Sequence, residues 1–252
     1  MPELFFICFM CHLIKELRQT VHYPFIMVNC LDMDELANRE KLTCLINVKL
    51  LNRTRKEISR EGLKPAAVLV PVCFIDGRPQ IILTKRSMSV EYHKGEISFP
   101  GGHAEPGDKS PIETALREAE EEIGLKAEDV EILGLLDDYI TIFNFHITPA
   151  VGIVPWPYDF RINSESETII FLPFEDVLSD KEWMLERTSI KGVEFDLYCL
   201  EIPDGVIWGA TARMLRNLAE VLLERTPATK PLTETAKQWI LSVVYAQEAY
   251  KK

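Results

Sequence analysis

The sequence predicts an α/β sandwich with a helical extension at each end, and three observations support this prediction. Short apolar, β-branched runs alternate along the chain with segments whose apolar residues recur at helical spacing. One helix, over residues 111–123, has both a start and a stop signal. Helix-like segments also lie towards both ends of the chain. With 47% hydrophobic and 27% charged residues, the composition is that of a globular protein with a full core.

The N-terminal helical extension is predicted to span residues 1–63. From Asp32 to about Ser59, apolar residues recur at helical spacing among charges, which indicates an amphipathic helix with breaks. The earlier apolar run from Leu4 to Met10 is too short to span a bilayer, and Glu3 stands where a signal peptide would carry positive charge. We therefore expect neither an anchor nor a signal peptide in this run.

A central domain over residues 64–225 begins with a strand pair. Ala66 to Phe74 is a continuous apolar run, and Asp76-Gly77 supplies a turn before Gln80 to Thr84. The later elements of this domain are three strands and a helix, expected at Val130–Tyr139, Ile147–Val154, Thr168–Leu172 and Ala210–Leu223. The C-terminal segment, residues 226–252, is expected to be a linker, Thr226 to Pro231, and a terminal helix, Thr233 to Lys251.

The charge and the cysteines restrict the partners and the compartment. A net charge of −11 argues against a broad surface for nucleic acid or anionic lipid, because both need clustered Lys and Arg. A polyanionic substrate would therefore need a bridging cation. The six cysteines are scattered without a disulfide framework, which predicts reduced thiols and a cytoplasmic protein.

The helix over residues 111–123 is the best-defined element. Ser110 is placed as its N-cap, Pro111 suits the first helical position, and Glu113 completes a capping box with Ser110. Gly124 fits the C-terminal stop. The helix therefore has a predicted beginning and a predicted end.

Three glutamates of this helix indicate a metal site. Glu118, Glu121 and Glu122 fall on the arc beside the predicted apolar stripe. Like charges at these spacings each cost about 0.2–0.5 kcal/mol, and the helix dipole disfavours negative charge in this C-terminal half. A divalent cation would explain the cluster, since Mg²⁺ and Mn²⁺ prefer carboxylate oxygens. For an isolated acidic helix, a solvated face is the alternative.

The segment around this helix resembles the Nudix box, which ends in Arg-Glu-apolar-x-Glu-Glu-x-Gly-apolar. Residues 117–125 read Arg-Glu-Ala-Glu-Glu-Glu-Ile-Gly-Leu and match every fixed position of that ending. The front half departs from the general box: the stretch from Gly102 to Arg117 is one residue longer, and Lys109 stands where the first Glu would be. The resemblance runs from about Pro65 to Ala212 and implies a Nudix-type α/β/α sandwich with a mixed sheet.

These departures resemble one branch of the family, the coenzyme A pyrophosphatases. That branch has an upstream signature similar to Ile82-Leu-Thr-Lys-Arg-Ser87, then Gly95, then Phe99-Pro-Gly-Gly102, in the same register. Trp208-Gly-Ala-Thr-Ala212 is similar to a late segment of the branch. Glu91 is an exception, because the signature has an arginine at that position.

The resemblance implies roles for individual residues. Glu118 and Glu122 would be the principal ligands of Mg²⁺ or Mn²⁺, with Glu121 sharing the site directly or through water, and Arg117 would orient these carboxylates. Gly101 and Gly102 would let the backbone approach the metal or the phosphates. Arg86 and Ser87 would contact substrate phosphate, although a surface position at a strand end is an equal alternative for them.

The general base is open between a box residue, such as Glu121, and a downstream loop glutamate. Glu165 is the loop candidate, against the alternative that it is simply a solvated acid. His93 and His146 are weaker candidates, because isolated histidines are more often structural or surface residues.

The leading functional hypothesis is metal-dependent hydrolysis of coenzyme A or acyl-coenzyme A to 3′,5′-ADP and (acyl-)4′-phosphopantetheine. The alternative within the same chemistry is a Nudix hydrolase of ADP-ribose, a dinucleotide or a nucleoside triphosphate. A third hypothesis is a Nudix-fold binding or regulatory module without catalysis. The expected partner is a small nucleotide, with neither nucleic acid nor membrane, and a homodimer is left open.

Overall fold

The fold is given by a computed structural model that describes residues 36–90, 93–141, 143–190 and 193–248. The start of the predicted N-terminal helix, the apolar run from Leu4 to Met10, and Glu91 therefore lie outside the described residues. The helices are α1 (Arg39–Leu51), α2 (Pro111–Ile123), α3 (Phe174–Leu178), α4 (Gly209–Leu223) and α5 (Glu234–Glu248). The strands are β1 (Lys64–Ile75), β2 (Arg78–Arg86), β3 (Ile97–Ser98), β4 (Gly101–His103), β5 (Glu131–Leu135), β6 (Tyr139–Ile140), β7 (Phe145–Ile153), β8 (Ser166–Pro173), β9 (Trp183–Ile190), β10 (Val193–Ile202) and β11 (Gly205–Trp208).

Strands β1 to β8 form one mixed sheet. Its central order is β3-β2-β1-β7-β5, with β4 paired to β1, β6 to β7 and β8 to β2. Only the pairing of β1 with β7 is parallel among the described pairs of this sheet. Asp76 and Gly77 have φ of 49° and 75°, as a tight hairpin turn requires, so the predicted β1–β2 hairpin is confirmed.

Helices cover both faces of this sheet, which confirms the predicted α/β sandwich. Successive strand residues point to opposite faces. Val70 and Val72 of β1 therefore pack in a core with α1 and α4, while Ala67 and Leu69 pack in a second core with α2. Because both faces of β1 are buried, its sequence is continuously apolar rather than alternating.

The N-terminal helix packs on the sheet and is followed by a network of ion pairs. Leu42 and Ile46 of α1 are buried in the core shared with α4. After the helix, Arg53 pairs with Asp137 and Arg55 pairs with Asp138. The helix ends at Leu51, before the predicted end near Ser59, because the chain after Leu51 leaves helical geometry and extends towards these aspartates.

A second sheet, not predicted from the sequence, follows the mixed sheet. Strands β9, β10 and β11 form an antiparallel sheet whose buried residues Met184, Cys199 and Val206 pack with Ala236 and Ile240 of α5. In the described part of the chain no helix is long and apolar enough to cross a membrane.

The single strand predicted over Val130–Tyr139 is wrong, because residues 136–138 interrupt it. At this point the backbone N–H groups of Leu136 and Asp138 donate to Pro149 O and Lys56 O, and the Asp137 N–H donates to the Asn217 side chain. In this interruption the carboxylates of Asp137 and Asp138 form the ion pairs with Arg53 and Arg55. The predicted linker is also partly ordered, since Lys230 forms a parallel β-bridge with Met184.

Candidate active site

Helix α2 begins and ends where its sequence predicts. Ser110 Oγ accepts a hydrogen bond from the Glu113 N–H at 3.2 Å, and Gly124, at φ 69°, ends the helix in the left-handed region. The predicted capping box needs one correction. The Glu113 carboxylate accepts from the N–H of Lys109 at 2.8 Å and not from that of Ser110, so the reciprocal bond closes one residue further upstream.

The three glutamates of α2 differ in their exposure. The buried stripe of the helix, Ala115, Ala119 and Ile123, packs on the sheet. Glu122, beside this stripe, is only 8% exposed, and the Glu118 side chain is 17% exposed. The side chain of Glu121 is 57% exposed and turns towards Arg117. Glu122 is therefore the buried member of the cluster, Glu118 is partly buried and Glu121 is exposed.

Two glycines bring the backbone of β4 against these carboxylates. A Cβ atom on Gly102 would lie 2.5 Å from the Glu118 carboxyl carbon, so no other residue fits there without displacing Glu118. A Cβ on Gly101 would lie 2.5 Å from the backbone oxygen of Ala67 on β1. The N–H of Gly101 donates to Glu122 Oε2 at 3.4 Å. Gly101 is thus required by the backbone of the sheet, whereas a larger residue at Gly102 would have to push the Glu118 carboxylate aside.

Burial makes these carboxylates costly to ionise. Desolvation raises the pKa of Glu122 to about 7, against the opposing effects of the nearby Arg86 and of the Gly101 hydrogen bond. The negative charges of Glu118 and Glu165 raise it further. Desolvation also raises the pKa of Glu118, although Arg117 opposes that shift. Positive charge added at this point would favour the ionised form of both side chains.

The donor set fits a hard divalent cation. Glu118 and Glu122 present carboxylate oxygens, the ligands that Mg²⁺ and Mn²⁺ prefer. They lie against the backbone of Gly101 and Gly102, where a side chain would occupy the space next to them. Within the described ranges, no three His, Cys, Asp or Glu side chains already converge as a metal site. Glu121 is directed to Arg117, so it would have to rotate to become a third ligand.

Arg117 lies at the centre of a set of acceptors. Its guanidinium donates to His103 O at 2.8 Å and to both oxygens of Asp108 at 3.2 Å. It also lies 3.0 Å from Glu118 Oε1 and 3.3 Å from Glu121 Oε2. These contacts fix the arginine between the glycine strand β4 and two of the glutamates, which is the arrangement expected of an orienting residue.

Asp108 is a residue of this site that the sequence argument missed. Its carboxylate accepts from the Glu105 N–H and from Thr114 Oγ1, both at 2.9 Å, as well as from Arg117. These hydrogen bonds, led by that from Arg117, lower the pKa of Asp108 to about 2. Asp108 immediately precedes Lys109, which stands where the general box has its first Glu, and that neighbouring acid was the available signal.

The substrate-contact candidates lie at the end of β2. Arg86 pairs with Glu165 Oε2 at 3.1 Å, and its charge also acts on Glu122. The backbone N–H of Ser87 donates to Glu165 O at 2.7 Å, while the Ser87 hydroxyl bonds to Ser89 Oγ at 2.7 Å. The structure therefore brings Arg86, Ser87 and Glu165 together, with Arg86 and Glu165 electrostatically connected to Glu122.

The two histidines considered as bases have local partners elsewhere. His93 Nδ1 lies 3.1 Å from Glu96 Oε2, and His146 Nε2 lies 2.8 Å from Asp138 Oδ2. His146 therefore contacts the same carboxylate, that of Asp138, as Arg55 does. Glu91, the departure from the branch signature, lies outside the described residues.

Comparison with known proteins identifies the family. A family model described as the NUDIX domain matches residues 63–195, which is more than half of the chain. The chain is 37% identical over 156 residues to an "Uncharacterized Nudix hydrolase NudL" of Yersinia pestis, covering 62% of this chain and 78% of that protein. The NudL of Yersinia pseudotuberculosis matches to the same extent.

Solved structures show a weaker likeness. A Caenorhabditis elegans Ap4A hydrolase binary complex matches at 22% identity and a TM-score of 0.40, over 45% of this chain and 83% of that one. At this level the likeness adds nothing on substrate. The family rests on the sequence matches.

Proposed function

The chain belongs to the Nudix hydrolase family, and from this premise we propose that its substrate is coenzyme A or an acyl-coenzyme A. Hydrolysis of the pyrophosphate bond would give 3′,5′-ADP and (acyl-)4′-phosphopantetheine. The observation that carries the hydrolase chemistry is the pair formed by the buried Glu122 and the partly buried Glu118, packed against Gly101 and Gly102. Their raised pKa values mark a place where positive charge is needed.

We propose that Glu118 and Glu122 hold the cation, with Glu121 joining them directly or through water. When bound, Mg²⁺ or Mn²⁺ would neutralise pyrophosphate charge and lower the pKa of the attacking water. Arg117 would keep Glu118 in place through the contacts that it shares with Asp108 and His103 O.

We propose that Arg86, Ser87 and Glu165 complete the site near Glu122. Arg86 would bind a phosphate oxygen, for which its planar guanidinium is suited, and Ser87 would add a hydroxyl or backbone contact. Glu165, 55% exposed at its side chain, would accept the proton of the water as general base. Glu165 forms an ion pair with Arg86, and the charges of both side chains act on Glu122.

The coenzyme A branch is supported by sequence around this site. Ile82–Ser87, Gly95 and Phe99–Gly102 follow the branch signature, and they lie on β2, on β4 or in the segments that flank β3. Glu91 departs from the signature and keeps ADP-ribose, dinucleotides and nucleoside triphosphates as the second candidate class. A non-catalytic module is disfavoured because Arg117, Glu118, Glu121 and Glu122 are all present.

The test is a substrate panel. Purified protein with Mg²⁺ or Mn²⁺ is incubated separately with coenzyme A, NADH, ADP-ribose and a nucleoside triphosphate mixture, and the products are identified by mass spectrometry. We expect 3′,5′-ADP and phosphopantetheine to appear fastest. Faster cleavage of another substrate would overturn the coenzyme A proposal but keep the metal site. No cleavage of any substrate would overturn the catalytic proposal.

A further inference from the structure

The loop over residues 161–165 lies against the C-terminal end of α2. A helix leaves its last carbonyl groups without partners inside the helix. Here the N–H of Arg161 donates to Ile123 O at 2.9 Å, and the N–H of Asn163 donates to Glu122 O at 3.0 Å. The side-chain amide of Asn163 donates to Glu121 O at 3.3 Å. Asn163 thus binds the backbone of two of the three glutamates.

The same side chain also holds Glu165. Asn163 Oδ1 accepts from the Glu165 N–H at 2.9 Å. On its other side, Glu165 O accepts from the N–H of Ser87. Both backbone polar groups of Glu165 therefore have partners: its carbonyl is held by Ser87, directly after β2, and its N–H by Asn163. A hydrogen-bonded path runs from the carbonyls of α2 through Asn163 to the residue that pairs with Arg86.

We propose that Asn163 is a positioning residue of the hydrolase. It fixes the position of the Glu165 carboxylate and of its partner Arg86 relative to Glu121 and Glu122. This inference rests on the proposed function, because it needs Glu165 to act in turnover. The distance between the glutamate cluster and Glu165 would otherwise depend on an exposed loop. A displacement of about 1 Å in such a group is enough to slow a reaction by up to a hundredfold.

The chemistry of the position explains why asparagine stands there. One short side chain must donate to Glu121 O and accept from the Glu165 N–H, and an amide does both. A carboxylate would lack the donor, and alanine would lack both groups. The backbone bond from Asn163 to Glu122 O survives any such substitution except proline. Removing the side chain should therefore loosen Glu165 more than it loosens α2.

Arg161 supplies the matched control. It caps the same helix end through its backbone only, while its side chain is exposed and pairs with Asp159. Arg161→Ala should keep the backbone bond to Ile123 O and leave turnover unchanged. The two variants share a loop and a capping role, but only Asn163 reaches Glu165 through its side chain.

The experiment is a double-mutant cycle in turnover. Wild type, Asn163→Ala, Glu165→Gln and the double variant are assayed with Mg²⁺ and coenzyme A, or with ADP-ribose if that is the panel substrate cleaved. We expect Asn163→Ala to lower kcat about tenfold with KM within about twofold, and to add less than about twofold in the Glu165→Gln background. An equal loss in both backgrounds, or no loss at all, would overturn the positioning role.

Mn²⁺ binding, followed by electron paramagnetic resonance, separates positioning from simple support of the helix. Asn163→Ala should bind Mn²⁺ within about threefold of wild type, since the Asn163 backbone bond to Glu122 O remains. A loss of binding as large as the loss of kcat would assign Asn163 to the metal helix alone and overturn the proposal. If Asn163→Ala does not fold, Asn163→Leu, which keeps the size of the side chain but also lacks both polar groups, replaces it in the same cycle with the same criterion.

The outcomes also separate this inference from the proposed function. Full turnover in Glu165→Gln would overturn the role of Asn163 and of Glu165, while hydrolysis itself would stand. Absence of turnover in wild type with every panel substrate would overturn the hydrolase proposal and this inference with it. Full turnover in Asn163→Ala beside a slow Glu165→Gln would overturn this inference alone.

Discussion

Two acidic clusters in this protein each contain a buried carboxyl group, and the pKa values of these two groups are shifted in opposite directions. Glu122 of α2 and Asp138, between β5 and β6, are each 8% exposed. Yet the pKa of Glu122 is raised to about 7, whereas the pKa of Asp138 is lowered. Burial raises the pKa in both places, so burial alone does not decide the direction.

The number of hydrogen bonds to each carboxylate explains the difference. Asp138 accepts from Arg55, from the Ile58 N–H at 2.9 Å and from Thr148 Oγ1 at 3.0 Å, and His146 lies 2.8 Å away. Among the described residues, Glu122 has one long bond, from the Gly101 N–H at 3.4 Å. Asp138 is satisfied by the protein and joins the N-terminal segment to the core. Glu122 is left in need of positive charge, which is expected of a ligand site.

Glu122→Gln should have the largest effect. The change removes the negative charge but keeps the shape, so turnover should fall on the order of a thousandfold, since a catalytic metal contributes several kcal/mol. The melting temperature should not fall, because a buried carboxylate with a raised pKa costs stability when ionised. Turnover is measured by product formation and folding by calorimetry. Unchanged turnover would remove the metal assignment.

Asp138→Asn should show the reverse behaviour. Removing one partner from a buried ion-pair network costs about 3 kcal/mol or more, because Arg55 and neighbouring donors are left without their acceptor. The free energy of unfolding should fall by about that amount in denaturant titration. Turnover per folded molecule should stay near wild type. A loss of turnover without a loss of stability would make the two clusters one functional unit.

The pH dependence should differ between the clusters in the metal-free protein. Because the folded pKa of Glu122 is raised, the folded form keeps its proton while the unfolded chain loses it from about pH 4.5 upwards. Stability should therefore fall between about pH 4.5 and pH 7, by up to about 3 kcal/mol. Asp138 has a lowered folded pKa, so its contribution is present above about pH 4 and is lost as pH falls further.

Thermal unfolding in EDTA across this range checks both signs. The fall towards pH 7 should be smaller in Glu122→Gln, where Glu118, whose pKa is also raised, still contributes to it, and it should be unchanged in Asp138→Asn. When Mg²⁺ replaces EDTA in the buffer, the stability of wild type should fall less with rising pH, because a bound cation favours the ionised carboxylate. Equal slopes in wild type and Glu122→Gln would show that another group is responsible.

Gly102→Ala should have the smallest of these effects. Its Cβ would lie 2.5 Å from the Glu118 carboxyl carbon, so Glu118 must move, and turnover should fall about thirtyfold. A Cβ on Gly107, in the loop after β4, would have no heavy atom of the described residues within 4 Å beyond its chain neighbours, so Gly107→Ala should be neutral. Turnover of the two variants at equal Mg²⁺ measures the difference. Equal turnover would mean that the site tolerates displacement of Glu118.

Local signals in the sequence were sufficient for α2 and its glutamates. The capping residues lie within a few positions of each other, and the 3.6-residue period fixes which side chains share a face. The same applies to the β1–β2 hairpin, whose turn residues are adjacent. Such elements are specified by neighbours in the chain, so they can be predicted without the fold.

Other features depend on residues far apart in the chain. The break between β5 and β6 is made by Lys56 and Asn217, about 80 positions away on either side. Asn163 touches α2 about 40 positions before it. By contrast, strand β10 alternates in polarity from Val193 to Leu197, which was a local signal for a strand in the second sheet. The contacts of Lys56, Asn217 and Asn163 have no short-range pattern, so Asn163 was found only in the structure. Asp108 differs, because its partners Glu105, Thr114 and Arg117 lie within nine positions of it.

The most direct test of the central claim is Mn²⁺ binding by wild type, Glu122→Gln and Asp138→Asn, measured by electron paramagnetic resonance at pH 7.5. We expect wild type and Asp138→Asn to bind alike and Glu122→Gln to bind at least tenfold more weakly. Equal binding by wild type and Glu122→Gln would contradict the assignment of the α2 glutamates as the metal site.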